Sequence, residues 1–321
     1  MRLQAKGLSK RYGNRTVVQD VSFSLKAGQT LALIGGSGSG KTTTLRMLNR
    51  LVTPDEGEVY FDGVSTRDIP GEQLRRKMGY VIQQTGLFPH YSVFENIAAV
   101  AQLLNWPPRQ IHERVELLLS KLGLNPNIYW FKYPEELSGG QQQRVGLARA
   151  LMTDPPILLM DEPFGALDPI TRQEIRREFL LLDEFRSKTI VLVTHDVTEA
   201  VEMANYICLM NEGKVVQIGK ARDFLFRPAN DYVRDFFKEH RIALLMEMVT
   251  MEELAQDLHF SKPMYRVPLK PPPERDPKYI TVKKAFQMIE EECEPEEMQL
   301  TRKKLLWAWE SWLSKMEETY P

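Results

Sequence analysis

The apolar run Leu31 to Ile34 leads directly into Gly35-Gly-Ser-Gly-Ser-Gly-Lys41-Thr42. This matches G-x-x-x-x-G-K-[ST] in full, in the strand–loop–helix context that such a loop needs. The glycines let successive N–H groups converge on phosphate oxygens with no side chain in the way. A following helix N-terminus adds the positive end of its dipole. Lys41 supplies a point charge for the β- and γ-phosphates, and the Thr42 hydroxyl a ligand for Mg²⁺. Taken alone, the pattern also fits a flexible glycine-serine turn.

The surrounding chain predicts an α/β fold. Residues 1–35 read as strands joined by turns, GEVYFDGV from Gly57 as a strand pair, and MGYVIQ (78–83) as a short buried strand. VFENIAAVAQLLN and the run from Ile111, IHERVELLLSKLGL, carry apolar residues at helical spacing, with glycine closing the second. The strand ILLMDEP (157–163), the helical stretch TRQEIRREFLLLDEF and the strand TIVLVTHD (189–196) follow. That alternation predicts a parallel sheet with a helical insertion.

Other strand ends carry chemistry. Asp161 closes ILLM, where a carboxylate is costly unless a cation sits nearby, which suits a Mg²⁺-binding aspartate. Glu162, if the strand continues, points the other way, toward the γ side of a nucleotide, where it can deprotonate water. A solvated turn is the alternative for an isolated Asp-Glu. His195 ends VLVTHD on the same predicted rim, where open α/β sheets bind ligands. A second phosphate grip, LSGGQQQR (137–144), opens another predicted helix about a hundred residues later. One nucleotide does not need two such loops.

Bulk properties exclude several classes. At 321 residues the chain fits one large or two modest domains, and 43% hydrophobic with 26% charged content is ordinary for a soluble globular protein. A net charge of −1 argues against nucleic-acid binding. No apolar run is long enough to span a bilayer, and the start lacks a secretory h-region, which predicts a cytoplasmic compartment. Cys208, in YICLM, reads as a core residue, and Cys293, in EEECEPEE, as an exposed thiol on a solvated acidic face. Neither has a partner at metal-ligand spacing, so no all-protein metal cage is expected.

The ordered set GGSGSGKTT, VIQQ, LSGGQQQR, ILLMDEP, ALD and THD resembles the ATP-binding-cassette ATPases over residues 1 to about 240. The resemblance implies a P-loop NTPase (RecA-like) core with a β-subdomain and an inserted helical subdomain at about 86–150. It implies that Tyr12 stacks on adenine. Gly35, Gly36, Ser37, Gly38, Ser39, Gly40, Lys41, Thr42 and Thr43 would grip the phosphates. Thr42, Gln83 and Asp161 would hold Mg²⁺, with Gln83 also contacting the attacking water. Glu162 is implied as catalytic base, Asp168 as part of the D-loop, and His195 as the γ-phosphate switch. Ser138, Gly139 and Gly140 would cover the ATP of a second subunit packed head to tail, which answers the question of the second grip and implies a homodimer or a similar heterodimer.

A finer resemblance, carried by LRRKMGYVIQQTGLFPHYSVFENIA, MDEPFGALDPITR and RPANDYVRDFF, is to bacterial importer ATPases, most of all the glycine betaine, choline and carnitine group. It implies a permease whose coupling helix docks on Gly86 to His90 and Val93 to Asn96, a solute-binding protein reached through that permease, and the cytoplasmic membrane face. LFPHYSV also fits a merely packed loop. An importer for another solute such as an amino acid, a soluble ABC machine, and a non-hydrolysing regulator are the competing readings. The tail, 241–321, has neither the length nor the strand pattern of the tandem CBS module frequent in betaine-type ATPases. It reads as a proline-rich linker (261–277) and an amphipathic helix (about 296–319), with Leu305, Leu306, Trp309, Trp312, Leu313 and Met316 able to share one face. Docking on the protein body is the simplest role for that helix.

Overall fold

The computed structural model describes residues 1–83, 86–165, 167–257, 280–292 and 295–319. The linker expected at 261–277 and the thiol of Cys293 fall outside them. The chain divides into two compact units, Met1–Ala221 and Arg222–Pro321.

The first unit holds two sheets. In chain order the strands are β1 (Leu3–Tyr12), β2 (Arg15–Leu25), β3 (Thr30–Ile34), β4 (Glu56–Phe61), β5 (Val64–Ser65), β6 (Met78–Val81), β7 (Ile157–Asp161), β8 (Thr189–Val193), β9 (Tyr206–Asn211) and β10 (Lys214–Gly219). An antiparallel sheet runs β2-β1-β4-β5, and a second runs β10-β9-β3-β8-β7-β6. In the second sheet the pairs from β9 to β6 are all parallel, and β10 returns antiparallel along the edge.

Every residue of β3, β7 and β8 is buried, as parallel strands covered on both faces must be. Alternate side chains feed two cores. Leu158, Met160, Ile190 and Leu192 join Ile97, Val115, Leu118, Val145 and Leu147 of the inserted helices. Ile157, Leu159, Val191 and Val193 join Leu3, Leu8, Val21 and Val59 of the antiparallel sheet, together with Leu45 and Leu48 after the glycine loop. Cys208 lies wholly within this second core, and burial pushes its thiol up to about 12, leaving it unreactive.

Helix boundaries show where tertiary context overrides the sequence pattern. The run expected as one helix from Thr171 to Phe185 is two, Pro169–Leu181 and Asp183–Arg186, broken by extended backbone at Leu182 (φ −73°, ψ 124°). β6 and β8 end at Val81 and Val193, so Gln83 and His195 stand on loops beyond them.

In the second unit, helix Pro295–Thr319 buries Leu305, Ala308, Trp309 and Trp312, with the two indoles stacked at 5.2 Å. Leu306 is exposed rather than sharing that face, because 305, 308, 309 and 312 already define the stripe and the next residue turns about 100° away from it.

Candidate functional site

The sheet order sets β3, β8, β7 and β6 side by side, so the loops after them line one rim. The first loop is built by backbone. Gly35 has φ 144°, and a Cβ there would stand 2.1 Å from the Met210 carbonyl oxygen. Only glycine fits. Lys41, the first residue of helix Lys41–Leu48, is buried, and its Nζ donates to the carbonyls of Gly35 and Gly36, both at 2.8 Å. Burial lowers the Lys41 pKa, and the charges of Glu162 and Asp161 offset part of that.

The loop is also tied to its surroundings. The β9–β10 turn places Gly213 (φ 79°) where its N–H donates to Ser39 O at 3.2 Å, while its carbonyl accepts from Gln19 N–H of β2 at 2.8 Å. A Cβ on Gly213 would meet the Val17 carbonyl at 2.6 Å.

Asp161, 1% exposed, accepts from the Thr42 hydroxyl at 2.8 Å, with Arg46 Nη2 at 3.9 Å. Burial raises its pKa, and the Thr42 hydrogen bond opposes this. Glu162 departs from strand alternation. β7 ends at Asp161, and Glu162 takes a left-handed backbone (φ 45°) with its N–H donating to Val193 O at 2.9 Å. This turn, not a pleat, aims the carboxylate. A non-glycine residue held there costs roughly 1–2 kcal/mol, strain of a kind that clusters at working sites. Gln83 Nε2 donates to Glu162 Oε2 at 2.9 Å, and His195 Nδ1 lies 3.5 Å from the same oxygen. Lys41, Thr42 and Asp161 thus form one group, and Gln83, Glu162 and His195 another beside it.

The remaining residues stand apart from these two groups. Tyr12 ends β1 with its ring half exposed and the Lys10 ammonium 5.6 Å from its centroid. Ser138 caps the helix Gly139–Leu151 in a reciprocal box with Gln141, and Ser138 and Gly139 are exposed while Gly140 packs under Ile175 and Thr171. A helix start of this kind presents N–H groups without intrahelical acceptors. Among the described residues no hydrogen bond or ion pair joins 138–140 to the glycine loop. Asp168 caps helix Pro169–Leu181 through Thr171 N–H, and the Thr171 hydrogen bonds hold its carboxyl below the usual range.

The sequence profile of a family described as ABC transporter matches residues 18–165. Over 230 residues the chain is 52% identical to the glycine betaine uptake system ATP-binding protein YehX of Escherichia coli (strain K12), covering 72% of this chain and 74% of that one. The chain belongs to the ABC transporter ATPases. The choline transport ATP-binding protein OpuBA of Bacillus subtilis (strain 168) is 46% identical over 75% of this ABC ATPase, which spans only 63% of that relative. The dimeric post-hydrolysis structure of the cassette MJ0796, bound to ADP and Pi, matches 68% of this chain and 98% of its own at 33% identity and a TM-score of 0.61.

The site of this ABC ATPase fits a nucleoside triphosphate with a divalent cation. A Cβ-free cradle, a buried ammonium and a desolvated carboxylate against a threonine hydroxyl are a donor set for phosphate and Mg²⁺. No cluster of three or more His, Cys, Asp or Glu able to hold an ion occurs among the described residues. A cation on Thr42 and Asp161 would therefore need phosphate or water to complete its shell.

Sequence reading missed Arg172 and Glu199 as supporting residues, and named Asn96 only as the end of an implied docking stretch. Buried Asn96 accepts from Phe88 N–H at 2.8 Å and reaches the carbonyls of Tyr91 (2.9 Å), Phe88 (3.1 Å) and Ser92 (3.1 Å), fixing the loop that follows Gly86. Arg172 donates to the carbonyls of Phe164 (3.1 Å) and Leu167 (2.9 Å), in the loop after Glu162. Glu199 is buried and accepts from the hydroxyl of Thr194, the residue before His195. Its one sequence signal is the D-x-x-E spacing from Asp196, which reads only as a helix start.

Proposed function

We propose that the chain is the ATP-hydrolysing subunit of a membrane importer that takes up a quaternary ammonium osmoprotectant such as glycine betaine, choline or carnitine. The observation that carries this reading is the set of relatives named for those solutes, at 52%, 46% and 45% identity. No helix among the described residues is long and apolar enough to cross a membrane, which fits a peripheral subunit on the cytoplasmic face, working beneath a permease and its solute-binding protein.

Within the site, Tyr12 stacks on adenine, the N–H groups of 35–43 hold the phosphates, and Lys41 neutralises charge as the β–γ bond loosens. Thr42, Asp161 and Gln83 would hold Mg²⁺, which would neutralise phosphate charge when bound. Glu162 takes the proton of the attacking water, Gln83 orients that carboxylate, and His195 closes the γ side. Ser138, Gly139 and Gly140 act on the ATP of the second copy in a homodimer, with Asp168 at the same junction. The ATPase function belongs to residues 1–240, with the helical subdomain at 86–150 and the tail at 241–321.

Glu162→Gln in the native cell tests the reading. Uptake of labelled glycine betaine, choline or carnitine should fall at least tenfold while a labelled amino acid control is unchanged. Unchanged uptake of all three, in cells lacking redundant carriers, rejects the substrate class. Loss of amino-acid uptake instead reassigns it.

A further inference from the structure

Glu199 is a buried acid that the hydrolytic chemistry above does not use. It lies 3% exposed on helix Val197–Met203. The spacing Asp196-Val-Thr-Glu199 is that of a capping box, in which the glutamate would accept from the Asp196 N–H. The structure interposes a hydroxyl instead. Asp196 N–H donates to Thr194 Oγ1 at 3.0 Å, and that hydroxyl donates to Glu199 Oε2 at 2.7 Å. Both neighbours of His195 are thereby fastened to one carboxylate. Asp196 is held further, its Oδ1 accepting from Thr198 and Glu199 N–H and its Oδ2 lying 3.8 Å from Arg172 Nη1. Arg172 in turn grips the loop that follows Glu162.

The second oxygen of Glu199, Oε1, is buried without a hydrogen-bond partner among the described residues. An orphaned buried acceptor is costly, so stability alone does not account for a glutamate here. Burial pushes its carboxyl up to about 7; the Thr194 hydrogen bond opposes this, Asp196 adds to it, and Arg176 and Arg172 oppose it. Those arginines face it from helix Pro169–Leu181, with Arg176 itself 2.6 Å from Glu202 on Glu199's own helix. β3, packed against the same helix, contributes no charged residue.

We propose that Glu199 is a positioning residue for His195: through the Thr194 hydroxyl it holds the 194–196 turn so that the imidazole faces Glu162. This rests on the assignment of His195 to the γ side. Loss of the Glu199 charge weakens the charge-assisted bond from Thr194, so turnover declines as the carboxyl gains its proton.

The test compares full-length wild type with Glu199→Ala, Glu199→Gln, Thr194→Val, His195→Ala and the Glu199→Ala/His195→Ala double variant. ATP affinity, kcat across pH, and hydrogen exchange of the Asp196 amide in nucleotide-free protein are measured. Glu199→Ala and Thr194→Val should lower kcat about tenfold with ATP affinity within about twofold, and Asp196 exchange should accelerate about tenfold. Glu199→Gln should recover most of the kcat lost in Glu199→Ala and remove the part of the acid limb centred near 7. The double variant should be no slower than His195→Ala. Unchanged Asp196 exchange in both Glu199→Ala and Thr194→Val, multiplicative losses in the double variant, or a parallel fall in ATP affinity overturns the proposal. Should Glu199→Ala not fold, Thr194→Val carries the same comparison. If His195→Ala turns over normally, the γ-side assignment fails by itself, and the exchange data still decide whether Glu199 holds the turn.

Discussion

Individual positions in this chain are constrained by backbone as much as by side-chain chemistry. Gly35→Ala forces a methyl to within 2.1 Å of the Met210 carbonyl. It should cost roughly 2–4 kcal/mol in urea unfolding and abolish detectable ATP binding, read by nucleotide titration. Glu199 gives a prediction of opposite sign. Its folded pKa, about 7, is raised above the ordinary carboxylate value, so its contribution is fully present below that ordinary value and is lost as pH rises through about 7. Glu199→Gln has no charge to bury, and at pH 8 it should be more stable than wild type by up to about 3 kcal/mol, converging with it near pH 4. Urea unfolding at the two pH values measures this; a constant difference removes Glu199 as the titrating group. The glycine loop and the Asp161-Glu162 pair were legible because their chemistry is fixed by residue type at fixed spacing. The aim of Glu162 was not, since it depends on a left-handed turn that a strand pattern cannot announce, and the burial of Glu199 depends on helices far away in sequence.

Among the elements, periodicity revealed the buried strands and the inserted helices but not their breaks. Leu182 leaves the helix although its neighbours keep helical spacing, because Phe179 and Phe185 must both reach one core, ring to ring at 4.9 Å. The loop from Phe88 to Ser92 is the same kind of case: its sequence fits a packed loop, and the side-chain amide that bonds its backbone comes from Asn96, on the following helix. Asn96→Ala removes the partner of the Phe88 N–H and of the Tyr91 carbonyl, whereas the Phe88 and Ser92 carbonyls keep backbone donors, at about 2–3 kcal/mol. If this loop receives the permease, solute uptake should fall at least fivefold while ATP turnover of the isolated chain stays within twofold. Equal losses in both measurements place the effect in folding instead.

Across the first compact unit, strand order is what assembles the site, and order is invisible to any local pattern. If 138–140 grip phosphate as proposed, a partner copy must bring them to the nucleotide, since among the described residues no hydrogen bond or ion pair joins them to the glycine loop, and ATP should drive association. With Glu162→Gln, sedimentation in ATP and Mg²⁺ should show a dimer at micromolar concentration, and in ADP a monomer; a monomer in both rejects the shared site. The turn at Gly213 carries a different consequence. Its N–H holds the glycine loop, its carbonyl holds β2, and the Val17 carbonyl allows it no side chain. A genetic screen for lost uptake would therefore recover alleles at this hairpin tip, outside every recognised motif, and would misfile them as surface lesions. They would be nucleotide-affinity mutations inherited through the backbone, and suppressors should appear in β2 sooner than in the glycine loop itself.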